Sequence, residues 1–121
     1  MYYNNAQKGV PGIGHSKEDI MGKTLGIFVS TDDQLDKLIN LCKAAKKKGV
    51  EVKIFLSHIG TLLTQDPEFK NLADLAEISL CKVGFEANKL EKPVPGLQDK
   101  AYRSQSEHAE MIHDCDKYLS F

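Results

Sequence analysis

Short apolar runs alternate along this chain with apolar stripes that have helical spacing. The runs cover residues 25–30, 50–56 and 77–81, and each has the length of a buried strand. The stripe between the first two runs recurs at the helical period and consists of Leu35, Leu38, Ile39, Cys42 and Ala45. Strands and helices are therefore predicted to alternate.

Local signals predict where the first helices begin and end. Thr31 can cap the first helix with Gln34 as its capping-box partner, and Gly49 can end it in the left-handed conformation. Asp66 and Pro67 predict the start of a second helix, because Asp is a favoured cap and Pro suits the first helical position. We expect a turn between these elements, at residues 57–60.

The second half of the chain begins with a long connection. Residues 82–101 contain Pro93 and the pair Pro95-Gly96, so we expect an irregular segment with a short helix near residues 84–89. Ser104 with Glu107 predicts the cap of a last helix running through Cys115. A terminal strand is predicted at residues 117–121.

This order predicts an α/β fold with three α/β/α layers and a small, mostly parallel, Rossmann-like sheet of four to five strands. Residues 24–121 are predicted to form the single domain. Residues 1–23 are predicted to be a weakly structured leader, with one helical turn running from about Ser16 to Met21. The glycines of residues 9–14 follow no strand, which argues against a phosphate-binding loop there.

Charge and cysteine content narrow the possible functions. Sixteen basic and seventeen acidic residues give a net charge of −1, which argues against nucleic-acid binding and gives no reason to expect membrane-surface attraction. The sequence has neither an apolar run of membrane-spanning length nor a secretory signal. Three widely spaced cysteines are then expected to be reduced thiols, and the protein is expected to be cytoplasmic.

The candidate chemistry lies where the predicted strands end. Parallel strands present their carboxyl ends at one edge of the sheet, and open α/β sheets bind ligands there. That edge is predicted to hold Ser30 and Thr31 after the first strand, Ser57 and His58 after the second, and Cys81 after the third.

Cys81 is either a nucleophile or a small packed side chain. Lys82, a cationic His58 and nearby helix N-termini would favour its thiolate. Lys82 and Gly84 open the chain toward solvent after the strand, so we expect the sulfur to be partly exposed. Cys42 and Cys115 lie on helical stripes and are expected to be packed. The run from His113 to Cys115 is too short a ligand set to predict a metal, and no cofactor is expected.

Several segments are similar to the DsrE/DsrF-like family. They are Leu-Gly-Ile-Phe-Val-Ser at 25–30, the run from Ala44 to Leu56, Ile-Ser-Leu-Cys at 78–81, and the closing 116–121. The resemblance implies that Cys81 accepts sulfane sulfur as a persulfide and relays it from a donor to an acceptor protein. It also implies a homotrimer or homohexamer.

The alternative is a non-enzymatic, oligomeric binding module. It would hold a small anionic or nucleotide-like ligand at the same edge, while Cys81 is only packed. In the sulfur-carrier interpretation the hydroxyls at this edge and the helix N-termini would stabilise the anionic persulfide. The predicted binding residues are Ser30, Thr31, His58 and Lys82.

Overall fold

The computed structural model describes residues 23–121, in which five strands form one sheet. The strands are β1 (Thr24–Val29), β2 (Glu51–Leu56), β3 (Glu77–Cys81), β4 (Tyr102–Arg103) and β5 (Lys117–Ser120). The α-helices are α1 (Leu35–Lys47), α2 (Phe69–Ala73), α3 (Lys82–Ala87) and α4 (Gln105–Asp114), and 3-10 helices span His58–Gln65 and Asp99–Ala101. The predicted leader and its helical turn lie outside the described residues, apart from Lys23.

The strand order across the sheet is β4-β3-β2-β1-β5, and every neighbouring pair is parallel. β1 therefore lies between β2 and β5, although β5 is formed by the last residues described. The predicted α/β fold with a small parallel sheet is confirmed. Within residues 23–121, none of the helices has the length and apolar character needed to cross a membrane.

The connections place most helices on one face of the sheet. From β1 to β4 the chain moves in one direction, so right-handed crossovers keep α1, α2 and α3 on the same side. This face carries the main core, whose most deeply buried members are Ile27, Val29, Leu38, Cys42, Ile54, Leu56, Phe69, Leu72, Leu80 and Phe85. Return of the chain from β4 to β5 places α4 on the opposite face.

The opposite face is covered much more thinly. Phe28 and Phe55 are register partners there, and their rings stack with centroids 6.3 Å apart. α4 places the His108 ring against both phenyl rings. Gly26 lets α4 approach the sheet, since a Cβ added to it would lie 2.9 Å from Cys115 Sγ.

The predicted cap of α1 is wrong. The helix begins at Leu35 with Gln34 as its cap residue, and no side chain caps it. Gln34 instead donates from Nε2 to Asp33 Oδ1 over 3.2 Å, so it is not available to bond back to Thr31. The predicted stop is confirmed, because Gly49 has a φ of 75° just after the helix.

The predicted turn and second helix also differ from the structure. The turn is a longer 3-10 helix, with Thr61 and Leu63 buried. Asp66 Oδ1 accepts a hydrogen bond from the Glu68 amide over 2.8 Å, which forms a local turn and delays α2 until Phe69. The Asp-Pro pair thus marks a turn that precedes the helix.

The connection after β3 contains more regular structure than predicted. α3 begins at Lys82, immediately after the strand, and β4 adds a fifth strand of only two residues. A two-residue strand has no periodicity to detect, so the sequence pattern gives no signal for it. The predicted last helix is confirmed, with the full capping box between Ser104 and Glu107, and it ends at Asp114 with Cys115 as its cap.

Candidate functional site

Cys81 lies at the point in the sheet where the chain connections change direction. β3 leads into α3 on the main-core face, whereas its neighbour β4 leads into α4 on the opposite face. Such a switch point between adjacent parallel strands is where open α/β sheets form their binding crevice. The two residues that end these strands, Cys81 and Arg103, are register partners.

The structure brings together only some of the predicted site residues. Ser57 and His58 follow β2, next to β3, so they are neighbours of Cys81 at the edge. Ser30 and Thr31 follow β1, two strands from β3, which corresponds to a separation of about 10 Å. Lys82 is exposed as the first residue of α3.

Cys81 is more enclosed than predicted. Only 6% of the residue is exposed, and its Sγ accepts a hydrogen bond from the Gly84 amide over 3.4 Å. The thiol therefore caps α3 instead of pointing into solvent. Gly84 packs closely on the backbone of His58, because a Cβ there would lie 3.3 Å from the His58 amide nitrogen. The expectation of a partly exposed sulfur is wrong.

A bridge from α4 passes the end of β3. Gln105, the first residue of α4, donates from Nε2 to Ser57 Oγ over 3.0 Å. Because β3 lies between β4 and β2, the chain from Arg103 to Gln105 crosses the carboxyl end of the strand that carries Cys81. Ser57 is itself only 1% exposed.

His58 contributes main-chain contacts at this edge. It has a φ of 53°, which is uncommon for a residue with a side chain, and its imidazole is exposed. Its carbonyl accepts hydrogen bonds from Thr61 Oγ1 over 3.0 Å and from Asn88 Nδ2 over 2.9 Å. The bond from Asn88 holds the 3-10 helix against the end of α3.

The two hydroxyl residues after β1 have a different environment. Ser30 donates to the Phe121 carbonyl from its amide over 2.9 Å, and its Oγ lies 3.4 Å from the same oxygen. Thr31 Oγ1 is buried and has no hydrogen-bond partner among the described residues. Ser30 thus ties β1 to the end of β5, away from Cys81.

The three cysteines have distinct environments. Cys42 is fully buried in the main core as predicted, and desolvation raises the pKa of its thiol from 9.0 to about 11. Burial also raises the pKa of Cys115, and the nearby Lys53 partly opposes this. Cys115 is nevertheless only half-buried, so it is more exposed than Cys81, which reverses the predicted order.

A cleft of about 210 Å³ lies along the amino-terminal part of β3, and Cys81 does not line it. It is bounded by the first residues of β3, by the loop at Gly96–Gln98 and by Lys100 and Arg103. Arg103 donates from Nε to the Lys100 carbonyl over 3.1 Å and lies 3.7 Å from Glu107. Sequence reasoning missed Arg103 because it depends on β4, which has no sequence signal.

Gln105 and Asn88 were also missed. Each makes its contact across a large sequence separation, through an amide side chain that no motif distinguishes. In the part of the chain that the structure describes, no three His, Cys, Asp or Glu side chains are grouped so that they could hold a metal ion.

Comparison with known proteins does not assign this chain to a family. No protein-family model, no curated protein and no solved structure matches it.

Proposed function

We propose that the protein is a sulfur carrier or sulfurtransferase-like protein in which Cys81 holds sulfane sulfur as a persulfide. The observation that carries this proposal is the hydrogen bond from the Gly84 amide to Cys81 Sγ at the topological switch point of the sheet. An amide that donates to sulfur stabilises the thiolate, which is the nucleophilic form. The resemblance to the DsrE/DsrF-like family points to the same residue.

The transfer consists of two thiol exchange steps. In the first, the Cys81 thiolate attacks the outer sulfur of a donor persulfide, a new S–S bond forms, and the donor leaves as a thiolate. In the second, an acceptor thiolate attacks the outer sulfur on Cys81, takes it as a persulfide and regenerates the Cys81 thiolate. No net oxidation occurs, so the relay needs no additional oxidant or reductant.

Basic residues lie at the same edge of the sheet as Cys81. Arg103 is the register partner of Cys81, so both side chains project from the same face of the sheet. Lys82 and His58 supply further exposed polar groups around this edge. Ser30 and Thr31 lie two strands away, so we assign them no direct role in the sulfur transfer.

Persulfide loading of cysteine variants tests the proposal. The native protein is incubated with a low-molecular-weight persulfide and then analysed by intact mass and peptide mapping. We expect one added sulfur atom, located on Cys81, which is lost in Cys81→Ser. Cys115→Ser is the matched control and is expected to load normally. Loading of Cys81→Ser to the wild-type extent would refute the proposal.

A non-enzymatic binding module is the second candidate, and the burial of Cys81 favours it. A thiol that is 6% exposed and caps a helix can be purely structural. The module would hold a small anionic ligand at the same edge of the sheet. Thiol titration of the native protein distinguishes the two: one fast cysteine, identified as Cys81, supports the carrier, and three slow cysteines support the module.

We further propose that the protein is a cytoplasmic homotrimer or homohexamer. Val83 is 73% exposed and Ile59 is 47% exposed, although both are large apolar residues. Both belong to elements that pack together beside Cys81. A subunit interface would cover such residues. Light scattering that gives the 13.5 kDa of one chain at micromolar concentration would refute the assembly.

A further inference from the structure

One side chain dominates the packing of α4 on the sheet. His108 is the only residue of this ten-residue helix that is classed as buried. Its ring stacks on both Phe28 and Phe55, with centroids 4.6 Å and 4.5 Å away. Its Nε2 lies 3.3 Å from the Tyr118 hydroxyl. The helix therefore depends on an imidazole for contacts that an apolar residue normally makes.

The surroundings of His108 favour its neutral form. Two phenyl rings replace water on the faces of the imidazole, and this desolvation lowers its pKa below 6.5. The phenolic pKa of Tyr118 is raised by burial, so its hydroxyl stays protonated near neutral pH. The Tyr118 hydroxyl can donate to a neutral imidazole or accept from an imidazolium, so this contact is compatible with both forms and desolvation is what favours the neutral one.

The described charged groups that face this site give an imidazolium little support. β1 presents no titratable group on this face, and β5 presents only Tyr118. β2 presents Lys53, two residues before Phe55, and Glu51 two residues earlier. β3 presents Cys81 and Glu77, the register partner of Lys53, and the Cys115 thiol lies against Gly26 after α4. On α4 the neighbouring titratable groups are Glu107, Glu110, His113 and Asp114, all exposed. Among the charged residues of β2, Lys53 lies nearest to Phe55 along the strand, and its positive charge gives no support to a positive charge on His108.

We propose that α4 is a cover that is released by protonation, which exposes both the Phe28–Phe55 face and Cys81. The link to Cys81 is the Gln105–Ser57 hydrogen bond, which carries the start of α4 across the end of β3. Release of α4 breaks this bridge and opens the edge at the switch point. The proposal does not require that Cys81 carries sulfur.

The direction of the pH dependence follows from linkage. In the released state His108 regains its ordinary value of 6.5, whereas in the docked state its pKa is lower. Below the ordinary value the released state binds a proton that the docked state excludes, so docking weakens as pH falls. Each unit of pH in this window favours release by up to about tenfold. Glu107 does not interfere, because its pKa lies below 4.5. The main cause is the hydrogen bond that its carboxylate accepts from the Ser104 amide.

Hydrogen exchange of the full chain at about pH 7.5 and about pH 5.5, corrected for intrinsic exchange rates, tests the release. We expect the amides of α4 to lose protection at the lower pH, by up to about tenfold, while those of α1 and β2 keep theirs. Labelling with a disulfide reagent that reacts at acidic pH should show Cys81 becoming accessible over the same range.

Two non-titrating variants and one matched control separate the causes. His108→Phe retains the ring stack and His108→Gln retains a polar partner for Tyr118, so both should remove the pH dependence of α4. His113→Gln changes an exposed histidine on the same helix and should behave like the wild type. The proposal is overturned if wild-type α4 is equally protected at both pH values, if either His108 variant keeps the dependence, or if α1 and β2 lose protection together with α4. Cys81 labelling that does not follow α4 would overturn its role as a cover of that thiol.

Discussion

Asn88 is bonded through one amide nitrogen to two groups of the 3-10 helix that follows β2. Its Nδ2 lies 2.9 Å from the His58 carbonyl and 2.8 Å from Thr61 Oγ1. Asn88 is the cap residue after α3, which begins at Lys82 directly after Cys81, so these bonds link the segments that follow two neighbouring strands. It is the contact that fixes α3 against the positive-φ residue His58.

Replacing Asn88 by Ala should loosen this link. The variant leaves the exposed His58 carbonyl and the buried Thr61 hydroxyl with one donor fewer, which should cost about 1 to 2 kcal/mol of unfolding free energy. We expect faster alkylation of Cys81 in the native state, measured by mass spectrometry. Asn71→Ala changes an exposed asparagine on α2 and should leave both quantities near the wild-type values. Equal alkylation rates in the two variants would contradict this role of Asn88.

Gly60→Ala should destabilise the fold strongly. An added Cβ would clash with the Val29 carbonyl oxygen, which belongs to the backbone of a central strand. Overpacking of this kind costs about 1 to 3 kcal/mol, measured by urea denaturation. Gly84→Ala, whose nearest contact would be 3.3 Å from the His58 nitrogen, should cost less. A larger loss in Gly84→Ala than in Gly60→Ala would contradict the ranking.

The buried thiol of Cys42 should make stability fall at alkaline pH. Its pKa is about 11 in the fold and 9.0 in the unfolded chain, so above pH 9.0 only the unfolded state releases the proton. The resulting loss approaches roughly 2 to 3 kcal/mol by the time the folded thiol titrates. Urea denaturation across this range should show a steeper decline for the wild type than for Cys42→Ala. Parallel curves would mean that the Cys42 thiol contributes no such linkage.

Arg103→Gln should slow sulfur loading of Cys81 if the proposed function holds. The exposed guanidinium acts through solvent-screened charge, so the expected decrease is modest, about two- to fivefold, and smaller at high salt. Lys100→Gln removes a cation from the same cleft without changing a register partner of Cys81, and should have less effect. Loading rates measured by mass spectrometry at low and high salt decide between them. Equal loading rates for the two variants would mean that Arg103 has no specific role in sulfur loading of Cys81.

The sequence pattern predicted the parts of the fold that depend on local periodicity. The three strands before the long connection, the stripe of α1 and the capping box of Ser104 and Glu107 all have signals within a few residues. β4 has no such signal, because two residues form a strand only when an existing edge accepts them. The late start of α1 depends on the bond between Gln34 and Asp33, which competes with the expected cap.

The site was predictable only as far as the parallel direction of the strands determines it. Cys81 and Ser57 meet because parallel strands end at one edge. Ser30 was expected beside them, but the order of strands across the sheet, which alternation does not reveal, separates it from Cys81. Cys81 is buried and caps α3, and the Gln105–Ser57 bond joins segments 48 positions apart; neither feature has a signal in the alternation of strands and helices.

The pairing of β1 with β5 has a consequence for how the chain acquires its structure during synthesis. Asp116 and Thr24 exchange two hydrogen bonds, of 2.8 Å and 2.9 Å, between segments separated by 92 positions. A ribosome must therefore release the residues of β5 before one side of β1 finds its neighbour. Until then, this side of β1 presents unpaired amides and carbonyls to other chains, and pairing over such distance is slow. We expect nascent chains that lack β5 to be the species that chaperones bind and that aggregate most readily.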